Sequence, residues 1–360
     1  MISPSNFSSL LKEWHQTITR DMPWKADRDP YKIWLSEIIL QQTRVAQGTP
    51  YYLRFIDKFP DIKTLAKADE DTVLKLWQGL GYYSRARNIL ATAKIIDQDY
   101  SGVFPTEHGD ILKLKGVGPY TAAAISSFAY GHSIPVIDGN VLRLMSRIHG
   151  IYEPIDHPNT HKTIDNLLRK AIKLADPAAF NQAIMDFGAT VCTPKNPNCG
   201  ECVFAAHCIA KANDDVNLLP IKSKSIKKTT RYFNYFVLLA PNLKQFVIEK
   251  RTENDIWKGL YQLPLYESQT LEDLSTKPLS EYFPKSVNIS DTSTYEVHSV
   301  STKKHILTHQ TLVINFYVLE IIPYHIEFEG DRACFVSKTD YDQYPFPKVI
   351  ADFLNDFFDF

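Results

Sequence analysis

The sequence predicts an all-α domain of many short helices followed by a smaller α+β domain. Three observations carry that expectation. Capped apolar runs of helical period recur as far as Lys211, a Lys/Ser-rich stretch without an apolar face follows, and strand-like runs fill most of the remainder. A length of 360 residues also suggests two domains rather than one. Their expected extents are a helical domain over 1–216, a linker over 217–230 and a second domain over 231–360.

In chain order, Asp29-Pro30 reads as a cap with proline at the first helical position, and YKIWLSEIILQQ follows. Helical patterns continue at DEDTVLKLWQGL (69–80), SRARNILATAKIIDQDY (84–100), HGDILKLK (108–115), YTAAAISSFAY (120–130), NVLRLMSRIHGI (140–151) and HKTIDNLLRKAIKLA (161–175). The stretch LPIKSKSIKKTT (219–230) reads as a linker. Beyond it, RYFNYFVLLA and KQFVIEKR flank a Pro241-Asn242 turn, and EVHSVSTKKHILTHQTLVINFYVLEI (296–321) is strand-like. LEDLSTKPLSEYF (271–283) and KVIADFLNDFFDF (348–360) read as amphipathic helices, and no internal repeat is visible.

Composition narrows the function classes. Hydrophobic content of 44% and charge of 22% exclude wholesale disorder. Residues 1–220 hold 24 Lys+Arg against 23 Asp+Glu, and 221–360 hold 16 against 18, so neither part is a bulk polycation. Any nucleic-acid binding must come from local placement. No apolar run is long enough to span a bilayer, and MISPSNFSSLLKEWHQ lacks the basic start and unbroken apolar core of a secretory signal. The expectation is a cytoplasmic protein, monomeric, with no membrane partner.

Five motifs carry candidate chemistry. In LKLKGVGPYTAAAIS (112–126), a helix ending at Lys115, a turn with Gly116 and Gly118, and a helix from about Pro119 form a helix-hairpin-helix. Its glycines allow a close backbone approach, and the exposed N–H groups suit a phosphate oxygen. Ala122, Ala123 and Ala124 let the second helix pack tightly. The plainer reading is an αα-hairpin closed by glycine. Four cysteines, Cys192, Cys199, Cys202 and Cys208, lie within seventeen residues. In a reducing compartment such clustering points to a metal, and the spacing alone leaves zinc and an iron–sulfur cluster both open.

Glu37 sits in an apolar helix beside Ile33, Trp34 and Ile38. Desolvation there should raise its pKa and favour a general acid near neutral pH, against the plainer reading of a paired or surface glutamate. Asp138, in IPVIDGNVLRLM, precedes a helix; a cap and a catalytic carboxylate are compatible roles for it. Finally, QGLGYYSRARN (78–88) gathers tyrosines and arginines: an exposed Tyr82 or Tyr83 beside Arg85 and Arg87 would suit base stacking with phosphates nearby, whereas core tyrosines are the alternative.

Taken together, PWKADRDPYKIWLSEIILQQT (23–43), QGLGYYSRARN, LKGVGPYTAAA (114–124), VIDGNVLR (136–143), NQAIMDFGATVC (181–192) and the four cysteines resemble the helix-hairpin-helix DNA glycosylases, and within them the adenine DNA glycosylases of the MutY type. The resemblance is nearly continuous over 10–210 and looser beyond. It implies an all-α helix-hairpin-helix glycosylase domain with a [4Fe–4S] loop, plus a C-terminal α+β Nudix-like domain. It also implies that the four cysteines hold a [4Fe–4S] cluster and that the substrate is duplex DNA with adenine opposite 8-oxoguanine or guanine. By the family pattern Glu37 protonates the flipped purine at N7 and Asp138 stabilises the oxocarbenium-like sugar, with Tyr120 and Asn140 in support. Arg20, Trp24 and Gln182 would line the adenine pocket. Gln42 and Tyr82 would wedge into the base stack, with Thr43 and Leu80 close to the oxidised guanine.

Some positions depart from, or refine, that pattern. In strand-cutting relatives such as endonuclease III, the residue two after the second hairpin glycine is a lysine that forms a Schiff base; here it is Tyr120, which implies excision without efficient strand cleavage. The C-terminal region carries WKGLYQLP (257–264) but no G-x5-E-x7-R-E-x-x-E-E pattern, so nucleotide-hydrolase chemistry is not expected. Where the family reads 8-oxoguanine with Phe-Ser-His, this chain has Leu307-Thr308-His309, so Thr308 supplies the hydroxyl. Lys25 replaces the usual arginine, keeping charge but losing the bidentate fork. The alternatives are an endonuclease III-like glycosylase/lyase, which Tyr120 opposes, and a non-enzymatic DNA-structure binder, which leaves Glu37 unexplained.

Overall fold

A computed structural model of the chain describes residues 2–20, 22–25, 27–223, 228–239, 245–270, 279–284, 286–289, 294–322 and 326–358. The chain forms two compact units. One comprises Met1–Lys67 and Asn88–Ser225, the other Ala68–Arg87 and Ile226–Phe360. This division differs from the sequence boundaries, which put 68–87 in the helical domain and began the second domain at 231.

In the first unit the helices are α1 (Pro4–His15), α2 (Pro30–Leu40), α3 (Val45–Lys58) and α4 (Ile62–Ala66); α5 (Glu70–Trp77) belongs to the second unit. Then come α6 (Ser84–Asp99), which begins in the second unit and ends in the first, α7 (His108–Ile111), α8 (Pro119–Tyr130), α9 (Gly139–His149), α10 (Pro158–Ile172), α11 (Pro177–Thr190) and α12 (Ile209–Ala212). Local sequence explains most starts: Ser3, Asp29, Asp61, Asp138 and Asp176 each accept a backbone N–H at a helix N-terminus, and α2, α8, α10 and α11 carry proline in the first turn. Sequence periodicity did not reveal α1, α3, α4 and α11. In α3 the cause is Pro50, a nominal breaker that the helix carries internally.

The predicted hairpin differs in its first arm. Helix α7 stops at Ile111, not Lys115. Beyond it the bonds tighten to three-residue spacing, Leu114 N–H to Ile111 O at 3.2 Å and Val117 N–H to Leu114 O at 3.1 Å, which buries Leu114 and Val117. Helix α8 packs on α2, with Ala122, Ala124, Leu35 and Ile39 fully buried, as the small side chains led one to expect. A second cluster joins α1, α9, α10 and α11 through Phe7, Leu11, Leu144, Ile164, Phe180 and Phe187. Each such side chain stabilises the fold by about 1.5–3 kcal/mol before entropy is counted.

The second unit is built on a mixed sheet. Its strands are β1 (Thr229–Leu239), β2 (Gln245–Lys250), β3 (Tyr261–Gln262), β4 (Leu265–Ser268), β6 (Thr294–Ile306), β7 (Gln310–Ile322) and β9 (Ala333–Ser337) in the order β3-β2-β1-β7-β6, with β4 on β1 and β9 on β2. Strands β1 and β7 run parallel from Thr229–Gln310 to Leu239–Glu320, and β6 pairs antiparallel with β7 across a bulge between Val297 and Ser299. A separate ribbon joins β5 (Val287–Ile289) to β8 (Ile326–Phe328). Helix α13 (Lys348–Phe358) covers the sheet, its Phe353 ring stacked on Phe316 at 4.0 Å. Strand β1 is an almost unbroken apolar run because its inner residues, Phe233 and Tyr235 to Leu239, are buried. Of the predicted helix at 271–283, only a 3-10 turn at Leu279–Tyr282 lies within the described residues, as do parts of the linker; the Pro241-Asn242 turn lies outside them.

Contacts explain why 68–87 group with the sheet. Asp71 accepts from Lys250 Nζ at 2.5 Å and from the Tyr261 hydroxyl at 3.2 Å. Lys75 Nζ donates to the Tyr344 carbonyl at 3.3 Å, Gln78 accepts from the Phe346 N–H at 3.2 Å, and Arg87 donates to the Lys258 carbonyl.

Candidate active site

Helices α2, α8 and the start of α9 bring Glu37, Tyr120 and Asp138 into one electrostatic cluster. Burial pushes the Glu37 carboxyl up to about 7; the Tyr120 hydroxyl, hydrogen-bonded to it, pulls the other way, and the Asp138 charge adds to the rise. Burial, then Glu37, also holds the Tyr120 phenol well above its ordinary range. The Tyr120 hydroxyl lies 3.7 Å from Met185 Sδ on α11, so its single proton has two acceptors to choose between.

Asp138 caps α9 as the sequence predicts: Oδ1 accepts from the Val141 N–H at 2.7 Å, and Oδ2 from Asn140 Nδ2 at 2.6 Å. The extended approach to Asp138 is pinned by buried Asn181, which accepts from the Val136 N–H at 2.9 Å and donates to the Ile134 carbonyl at 2.9 Å and Ser127 Oγ at 2.8 Å. Gly188 lets α11 approach here, since a Cβ on it would meet Asn140 Cβ at 2.8 Å. Behind Asn140 stands Arg143. It donates to Asn140 Oδ1 at 2.9 Å, the Gly188 carbonyl at 2.6 Å and the Cys192 carbonyl at 2.7 Å. The spacing of three between Asn140 and Arg143 is the one sequence signal for this contact.

Cys192, Cys199, Cys202 and Cys208 line one hollow, and none is in a disulfide. Buried Arg147 donates to Cys192 Sγ at 3.3 Å and to the Thr193 carbonyl at 2.8 Å. Among the described residues no three His, Cys, Asp or Glu side chains converge as a single ion requires. Four cysteine thiols around one hollow supply the all-thiolate ligand set that an iron–sulfur cluster takes.

Arg20, Lys25, His15 and Gln182 meet at a carboxylate that sequence reading did not single out. Asp186, with its side chain 1% exposed, accepts from Gln182 Nε2 at 3.0 Å, from Arg20 Nη1 and from Lys25 Nζ at 3.4 Å, with His15 Nε2 also at 3.4 Å. Burial pushes its pKa up, but Lys25, Gln182 and Arg20 together hold it below the usual carboxylate range. Gln182, Met185 and Asp186 share one face of α11, so Met185 links this group to Tyr120. Trp24 is buried edge-on against Tyr52, ring centres 5.3 Å apart.

At the hairpin, Gly116 has φ +76°, and a Cβ there would meet the Asn88 side chain at 2.7 Å. Gly118 caps α8 and faces open space. The exposed Gln42, next to half-buried Thr43, has φ 57°; Tyr82, 43% exposed, has φ 49°. Both expected wedge residues therefore hold a left-handed backbone, which is uncommon for non-glycine residues and concentrates at functional sites.

In the second unit, Leu80, Tyr82, Trp257, Thr308 and His309 line a cleft of about 370 Å³. The Tyr82 and Thr308 hydroxyls are hydrogen-bonded to each other. Of the two tyrosines Tyr82 is the exposed one, and Tyr83 is buried, its oxygen accepting from the Gly79 N–H at 3.2 Å. The expectation for the arginines needs correction. Arg85 is buried too, its guanidinium 5.0 Å from the Trp77 ring centre and donating to the Gly81 carbonyl at 3.1 Å, so it serves the loop and not a phosphate. Arg87 likewise is half-buried against Lys258.

Residues 35–173 match the HhH-GPD superfamily of base excision DNA repair proteins, 192–208 the iron–sulfur binding domain of endonuclease III, and 234–356 the NUDIX domain. An adenine DNA glycosylase of Buchnera aphidicola subsp. Schizaphis graminum is 41% identical over 268 residues, 73% of this chain and 76% of the relative. Another, of Buchnera aphidicola subsp. Baizongia pistaciae, is 35% identical over 316 residues, 86% and 84% of the two. The solved structure of a thermostable thymine-DNA glycosylase matches with a TM-score of 0.54 at 29% identity, covering 57% of this chain and 95% of that one.

Proposed function

The chain belongs to the adenine DNA glycosylases, cluster-bearing helix-hairpin-helix enzymes of base-excision repair, and from that premise we propose that it removes adenine opposite 8-oxoguanine or guanine without efficient strand cleavage. The observation that carries this reading is the cluster of Glu37, Tyr120 and Asp138, in which a carboxyl titrates near 7 beside a second carboxyl.

An adenine must leave the stack before its glycosidic bond can be reached. Glu37, part-protonated at neutral pH, gives its proton to the purine N7 as the bond to the sugar breaks. Asp138, oriented by Asn140 and the Val141 N–H, faces the positive charge that develops on the sugar, and water completes the hydrolysis. Tyr120 offers a phenol where a lyase needs an amine, so no Schiff base forms there. Cys192, Cys199, Cys202 and Cys208 would hold the cluster, which would cross-link the 192–208 loop and add folding energy.

DNA is held, on this reading, by hairpin N–H groups around Gly116 and Gly118, with Gln42 and Tyr82 inserted into the stack and Thr43 and Leu80 beside the oxidised guanine. 8-Oxoguanine carries an N7–H donor where guanine has an acceptor. The Thr308 hydroxyl can accept that hydrogen, once it parts from Tyr82. Arg20, Trp24 and Gln182 contact the extruded adenine.

The test is a duplex with one adenine opposite 8-oxoguanine, or opposite guanine, resolved on gels with and without alkali. A product band that needs alkali, faster opposite 8-oxoguanine, supports the reading. Strand breaks without alkali, together with abundant borohydride-trapped complex, would overturn the absence of lyase chemistry.

A further inference from the structure

We propose that Asp186 is a positioning residue that fixes which end of the Gln182 amide meets the base, and so sets selectivity for a 6-aminopurine over a 6-oxopurine. The inference rests on the reading that Gln182 faces the extruded base.

The two ends of a glutamine amide are nearly the same size but opposite in hydrogen-bonding sense. An ionised carboxylate can only accept. Asp186 Oδ2 lies 3.0 Å from Gln182 Nε2, one helical turn along α11, so the NH2 end is committed to Asp186. The carbonyl Oε1 is repelled by the same charge and is left as the end presented to the base. An acceptor at that place pairs with the exocyclic amine of adenine and opposes the 6-oxygen of guanine or hypoxanthine.

Asp186 is held in that role from its other side. Arg20 donates to Oδ1, while Lys25 and His15 stand 3.4 Å from Oδ2. Lys25 and Arg20 beside one buried carboxylate keep it charged, so the amide has no second orientation of comparable energy. Arg20 gains too: its guanidinium is anchored by the same carboxylate. Position on the helix ties this to the acid, because Met185, adjacent to Asp186, is the residue the Tyr120 hydroxyl touches.

The experiment measures single-turnover excision of adenine and of hypoxanthine, each opposite 8-oxoguanine in the same duplex, by the full-length protein. Hypoxanthine carries an oxygen in place of the 6-amine, which also turns N1 from an acceptor into an N–H donor, and keeps N7 as a basic site. Wild type should favour adenine. Asp186→Asn, whose own amide can donate to Gln182 Oε1 and let the amide turn over, should lower the adenine-to-hypoxanthine ratio by about 10- to 100-fold. Asp186→Ser, whose hydroxyl can serve either end of the amide, gives the same readout if the asparagine variant is poorly folded. Asp186→Glu keeps an acceptor only and should retain the ratio while both rates fall.

Gln182→Leu separates the two layers of the claim. If it collapses the ratio while Asp186→Asn and Asp186→Ser keep it, the positioning role is wrong and the pocket reading stands. A wild-type ratio in Gln182→Leu would remove Gln182 from the base pocket and the inference with it. Equal losses on both bases in Asp186→Asn and Asp186→Ser would mark Asp186 as a structural residue only and overturn the proposal.

Discussion

Asn140 donates to Asp138 across 2.6 Å, and the oxygen of the same amide accepts from Arg143 at 2.9 Å. The carboxylate is therefore held by a relay that ends at the main-chain carbonyls of Gly188 and Cys192, next to the cysteine hollow.

That relay predicts a split between two variants. Asn140→Ala removes the orienting amide and should slow adenine release about 10- to 100-fold with little change in melting temperature. Arg143→Met leaves the Gly188 and Cys192 carbonyls unpaired and should cost about 2–4 kcal/mol of stability as well. Single-turnover rates beside thermal melting would show the split; equal melting of the two variants would contradict it.

Glu37→Gln keeps the shape of the acid and loses its proton. Excision should fall to background while binding to the mismatched duplex persists, read by gel shift beside the glycosylase assay. Parallel loss of both would make Glu37 structural.

The same residue predicts a pH dependence. With Glu37 titrating near 7, excision should decline as pH rises through about 7, on a limb that Glu37→Gln lacks. Stability follows the same sign. The folded state holds the Glu37 proton up to about 7 while the unfolded chain releases it from 4.5, so stability drops across that window, by up to about 3 kcal/mol, and stays lower above it. Glu37→Gln should thus raise the melting temperature at pH 8 relative to wild type and do little at pH 4.

Thr308→Ala should narrow the preference for adenine opposite 8-oxoguanine over adenine opposite guanine, with the rate opposite guanine nearly unchanged. The point variant is cleaner than removing the C-terminal residues, because residues 68–87 belong to the same unit and would lose their partners. An unaltered ratio would take Thr308 out of lesion reading.

Cys202→Ala should abolish the visible absorbance of the cluster and lower the melting temperature, since Cys192 and Cys202 pack against the core that contains Phe204. Retention of full iron content would refute the four-cysteine ligand set.

Much of this protein was legible from local pattern. Caps at Asp29 and Asp138, the Gly116–Gly118 hairpin, the clustered cysteines and a carboxyl inside an apolar helix are all short-range features, and short-range features survive in a linear reading. The break near 220 was visible because strand and helix periods differ. Tertiary structure decided the rest, for reasons that no window of sequence contains. Arg85 looked like a phosphate ligand until Trp77 and the loop carbonyls claimed its guanidinium. Residues 68–87 are helical in pattern yet belong with the sheet, because Asp71, Lys75 and Gln78 find partners about 180 or more positions away. Asp186 gained meaning only when folding gathered Arg20, Lys25, His15 and Gln182 around it from the two ends of the helical unit. Periodicity and capping depend on neighbours along the chain, whereas the pairing of a buried charge depends on who arrives across the core.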